Sequence, residues 1–115
     1  MKTIRFKDWD CVIEKGKYGN GRPALILNDA HTGKQVAVAT VNLPDIETDL
    51  NEVLIKDYSE NAGMLKALVD ARVVMWLCDS IRVGFGEVQR AALLPPFREK
   101  SLDRELPEQN RGREM

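Results

Sequence analysis

The sequence predicts an α+β domain, an antiparallel sheet of about five to seven short strands with one main helix packed on one face. Short apolar runs recur between turn-forming residues along most of the chain. One run near the middle instead follows helical spacing, and no apolar stretch approaches the roughly 20 residues that cross a bilayer. At 115 residues the chain can bury one ordinary core and not two. Residues 1–96 therefore read as a single α+β domain and residues 97–115 as a charged, mobile tail.

The elements follow in order. Residues 3–6 place Ile4 and Phe6 on one face and Thr3 and Arg5 on the other, the alternation of a half-buried edge strand. Residues 10–15 carry Cys11, Val12 and Ile13 and end at Gly16, Gly19 and Gly21, a second strand and its turn. Residues 23–27 and 35–41 are apolar and strand-forming, and the intervening Asn28, Asp29, Gly33 and Lys34 supply turn chemistry for a hairpin. Leu43 and Pro44 end it, and an acidic loop leads to a short strand at residues 53–56. Met64, Leu65, Leu68 and Val69 then form a helical stripe whose first turn Asp57 or Ser59 can cap. Residues 73–77 read as a strand, Asp79 and Ser80 as a turn, and residues 81–85 with 87–94 as a closing pair stopped by Pro95 and Pro96.

The hairpin strands are apolar on both faces, yet only one helix is available as a cover. Strong curvature, the tail, or a second copy could close the face, and the expectation is a homodimer with Trp76 and Cys78 at the interface. Trp9, Trp76 and Phe85 otherwise read as core residues. Cys11 and Cys78 lie far apart, with no C-x-x-C spacing, and read as reduced core thiols.

Hydrophobic content of 43% and charged content of 30% fit a globular chain and exclude a disordered class. The residues after Met1 include no apolar signal region, so the expected location is the cytoplasm, without membrane attachment. A net charge of −1 supplies no general attraction to nucleic acid.

Four groups of residues are candidates for chemistry. His31, the single histidine, sits in a predicted turn with no nucleophile beside it, so no catalytic residue is assigned. Lys15, Lys17, Tyr18 and Arg22 lie among glycines, the ingredients of a phosphate contact, although their spacing matches no phosphate fingerprint and hairpin turns use the same glycines. Asp45, Glu47, Asp49, Glu52, Asp57 and Glu60 form an acidic run opposed by Lys56 alone. That run lacks the calcium-loop pattern, so neither metal nor cofactor is expected, and it suits a protein partner with a basic surface. Trp76 and Cys78 complete the set as an interface anchor.

Residues 38–45 (VATVNLPD), residues 55–65 (IKDYSENAGML) and Gly84, Phe85, Glu87 and Val88 resemble a family of short uncharacterised proteins of bacteriophages and integrative mobile elements. The likeness covers about residues 1–94, and the middle stretch is its specific part. It implies an accessory protein of a mobile element and brings no established reaction. The apolar residues 75–78 and the charged tail depart from the family pattern. The resulting expectation is a non-enzymatic protein that binds a host or phage protein, as anti-CRISPR and other anti-defence inhibitors do. A nucleic-acid module using residues 15–22, and a small-ligand protein or enzyme, stand as alternatives.

Overall fold

The computed structural model describes residues 3–84 and 86–98. Its strands are β1 (Thr3–Phe6), β2 (Trp9–Lys17), β3 (Pro23–Asp29), β4 (Gln35–Val38), β5 (Glu52–Lys56), β6 (Val74–Val83) and β7 (Gly86–Leu93), with one α-helix among the described residues, α1 (Met64–Asp70). The seven strands, within the expected five to seven, form two antiparallel sheets rather than one. Sheet A runs β1-β2-β3-β4 and sheet B runs β5-β7-β6.

Sheet A follows its sequence pattern closely. Ile4 pairs with Cys11 and Phe6 with Trp9 across the β1–β2 turn, and Ile4, Phe6 and Cys11 are buried. The turn itself places Lys7 at φ 55°. In the β3–β4 hairpin the Asp29 carbonyl accepts from the Gly33 N–H at 2.8 Å, and Gly33 takes φ 78°, a conformation that favours glycine.

The two sheets are stitched together by the residues that follow β4. Ala39 donates its N–H to the Leu25 carbonyl of sheet A and accepts from the Lys56 N–H of sheet B, each at 2.8 Å. Thr40 then bridges Ile55. At the opposite side α1 packs against β1, an outer strand of sheet A, and against β6 and β5, the two outer strands of sheet B. One core results, built from Leu25, Leu27 and Ala39, from Ile55, Val74, Ala91 and Leu93, and from Met64 and Leu68 of the helix. Each fully buried Leu, Ile or Met contributes about 1.5–3 kcal/mol relative to exposure. The inner face of the hairpin, with Leu25 and Leu27, is thus covered within the chain, while Ile26 on its other face is half-buried.

Helix α1 begins after Gly63 at φ 93°. Asp57 Oδ1 accepts from the Gly63 and Leu65 N–H groups at 3.1 and 3.0 Å, the capping role the sequence assigns it. Ser59 instead opens a 3₁₀ turn, Ser59–Asn61.

Sheet B departs from expectation at β6. Asp79 and Ser80 do not turn the chain, since β6 continues through them to Val83. Trp76 faces Ala91 while Asp79 faces Arg90, so Leu77 and Cys78 are extra residues in a β-bulge. Cys78 takes φ 57° there and is exposed, which corrects its reading as a core thiol. Beside the hairpin end, Gly86 admits the Tyr58 ring so closely that a Cβ would lie 2.5 Å from it.

Phe97, the residue after the expected boundary at 96, packs against the core. The expectations for Phe85 and for residues 99–115 of the tail lie outside the described residues. Among the described residues no helix is long and apolar enough to cross a membrane.

Candidate functional site

The acidic run separates into two groups. Glu52 on β5 accepts from Arg90 Nη1 at 3.1 Å. Arg90 also reaches Asp79 through Nε at 2.8 Å and the Glu47 carbonyl through Nη1 at 2.7 Å. These bonds, that to Asp79 foremost, hold the guanidinium in its charged form. Asp57 is occupied by the helix start. Glu60 Oε2 pairs with Lys56 Nζ at 2.6 Å, which lowers the Glu60 carboxyl below its usual range and raises the Lys56 ammonium. Glu52, Asp57 and Glu60 therefore serve the fold. Asp45, Glu47 and Asp49 are exposed, and their carboxylates have no bonded partner among the described residues. Because Arg90 grips the Glu47 carbonyl, this trio stands beside sheet B.

The segment at residues 15–22 is drawn inward. The Tyr18 hydroxyl meets Thr40 Oγ1 at 2.8 Å, and Arg22 Nη1 donates to the Leu43 carbonyl at 2.8 Å. Asn20 Nδ2 donates to Asn42 Oδ1 at 3.1 Å. The turn is clamped to residues 40–44, so the ring and guanidinium that a phosphate cradle needs are engaged in tethering the backbone. Lys15 and Lys17 on β2 also have interactions of their own. A small cavity of 260 Å³ separates Asn20 and Arg22 from Thr48, Asp49 and Leu50. The basic and acidic segments, read as independent surfaces in the sequence, are neighbours.

His31 is exposed in the β3–β4 turn. Asp29 does not orient its imidazole, because Asp29 Oδ1 accepts from the His31 backbone N–H at 2.9 Å. That bond is the main cause of a lowered Asp29 carboxyl. Among the described residues no group of three or more His, Cys, Asp or Glu gathers closely enough to hold a metal ion.

Met75 and Trp76 on the outer strand of sheet B are 51% and 43% exposed, and Trp9 at the β1–β2 turn is 47% exposed. Both tryptophans are thus surface residues, against the core reading of the sequence. Trp76 is oriented rather than loose, since its indole N–H donates to Gln89 Oε1 at 3.1 Å and Ser80 Oγ contacts the same oxygen at 2.7 Å. Trp76 and Cys78 come together on one edge, with the acidic trio on the other flank of β7.

A further site carries no local sequence signal. A cleft of 490 Å³ lies between the β1–β2 turn, β4 and the segment that precedes α1, lined among others by Lys7, Trp9, Val36, Lys56, Glu60 and Asn61. Its parts come from four stretches of chain that only folding brings together. Comparison of the chain with protein-family models, with curated proteins and with solved structures gives no match.

Proposed function

We propose that this chain is a non-enzymatic accessory protein of a phage or other mobile element that works by binding a protein, with sheet B as its binding surface. The observation that carries the reading is the exposure of two large apolar side chains, Met75 and Trp76, at consecutive positions of an outer strand, one on each face of it. Met and Trp are enriched where proteins meet, and a tryptophan fixed before contact loses little freedom on binding. Gln89 provides that fixation for Trp76. Asp45, Glu47 and Asp49 at the flank would steer a basic surface toward it, as an inhibitor of a nucleic-acid-handling defence protein requires. The internal bonds of Tyr18 and Arg22 weigh against the nucleic-acid alternative.

The test is affinity capture from infected host cells with three baits: the parent chain, Met75→Ser/Trp76→Ser, and Asp45→Asn/Glu47→Gln/Asp49→Asn. A partner that the parent captures should be lost with the first variant. With the second it should bind more weakly and with less dependence on salt. A partner retained equally by all three would refute the surface. The same edge fits a second copy of the chain, and light scattering decides that reading: a mass that stays at 13.0 kDa at micromolar concentration rules the homodimer out.

A further inference from the structure

We propose that the cleft beside β4 binds an extended acidic peptide, which adds as a strand to the open edge of sheet A at a site separate from the sheet B surface. Strand β4 has one strand neighbour, β3. Gln35, Val36, Ala37 and Val38 line the cleft along the other side of β4. An adjoining cavity of 400 Å³ shares Trp9, Gln35 and Val36 with it and continues to Thr32 and Lys34. The two together form a groove that follows the whole strand.

Asn61 shows how that edge is read. It is 2% exposed, and its Nδ2 donates to the Val38 carbonyl at 2.7 Å. The carboxamide thus does for Val38 what the N–H of a neighbouring strand would do. Its Oδ1 has no donor among the described residues, although the residue is buried and lines the cleft. A buried acceptor without a donor is costly, and a backbone N–H in the groove would satisfy it.

The charges select the peptide. Lys7 Nζ donates to a carbonyl, that of Glu60, at 2.7 Å, so its charge is not neutralised by that bond. Lys34 has no ionic partner among the described residues, while Lys56 is neutralised by Glu60. Asp29 also lines the Lys34 end, where turn N–H groups engage it. Lys7, Lys34 and Lys56 against Glu60 and Asp29 leave one positive charge in excess. An ammonium stands toward each end of the groove, with Trp9 and Val36 between. The four residue steps from Lys34 to Val38 span about 13 Å at strand rise. An extended peptide with carboxylates at i and i+4 and an apolar side chain at i+2 places all three on one face at that spacing.

The experiment uses the capped peptide Thr-Glu-Thr-Val-Thr-Glu-Thr, titrated into the Trp76→Phe chain so that Trp9 is the only fluorescent indole. The expected result is a saturable change in Trp9 emission. Binding should weaken by at least about tenfold in Lys7→Gln/Lys34→Gln. The signal should vanish with a peptide bearing lysine for glutamate, and with one N-methylated at the backbone of its valine, which keeps the charges and removes a strand hydrogen bond. Titration calorimetry on the parent chain repeats the measurement without the tryptophan change. No saturable signal up to about 1 mM overturns the proposal. Equal binding of the N-methylated peptide overturns strand addition, and indifference to the lysine replacements overturns the charge assignment.

Discussion

Strands β1 and β6 are both outer strands, yet one obeys its sequence pattern and the other does not. In β1 the buried residues Ile4 and Phe6 alternate with exposed Thr3 and Arg5. In β6 the apolar residues 74–78 bury Val74 fully and leave Met75, Trp76 and Cys78 exposed. The strands differ in what faces them. Helix α1 packs against both, but β1 lies on the shared core through Ile4 and Phe6, whereas β6 meets that core at Val74 and runs on past it through a bulge. Apolar composition therefore reports burial only where a second layer lies within reach.

The sharpest way to break the comparison is truncation on each side. Leu25→Ala, inside the shared core, should lower stability by about 2–5 kcal/mol in denaturant unfolding. Trp76→Ala should cost under about 1 kcal/mol, since its ring is held by one exposed hydrogen bond. Equal losses would mean that β6 is covered in solution and would remove the contrast.

Gly86→Ala probes the place where sheet B does pack tightly. The added methyl meets the Tyr58 ring, and we expect a loss of about 1–3 kcal/mol, read by thermal unfolding. The double change Gly86→Ala/Tyr58→Ala should lose less than the sum of the two single changes.

Asp57→Ala should cost about 0.5–2 kcal/mol by releasing the Gly63 and Leu65 N–H groups. Asp45→Ala, from the exposed half of the same acidic run, should fall within about 0.5 kcal/mol of the parent. The pair tests whether the run divides as described.

The smallest effect concerns acid. Because Lys56 holds the Glu60 carboxyl below its ordinary value, Glu60 contributes stability above its unfolded pKa and loses it as pH falls through the folded one. Glu60→Gln should therefore lower neutral stability slightly and flatten the acid limb of the stability profile by the same small amount. A steeper limb would reverse the assignment.

Much of the fold was legible locally. Alternation marked β1, turn chemistry marked the β3–β4 hairpin, and helical spacing marked α1. The division into two sheets was not legible, because it depends on the crossing from one sheet to the other at Ala39 and Thr40, whose residue types announce nothing unusual. The bulge at Cys78 was missed because Asp79 and Ser80 suit a turn equally well. Within the candidate site, position before the helix narrows the cap to Asp57 or Ser59, and Asp57 fills it. The occupation of Glu52 was hidden, since Arg90 lies 38 residues away. The cleft around Asn61 was invisible for the same reason.

The double engagement of Ala39 carries a consequence for how the molecule opens. One residue bonded to both sheets ties their local unfolding together, so neither can fray from that side without breaking the other's hydrogen bond. The amide protons of Ala39 and Lys56 should then exchange with solvent only at the rate of global unfolding, together with those of the buried core strands. Those near the bulge at Cys78 should exchange faster by local opening. The seam makes two small sheets into a single cooperative unit.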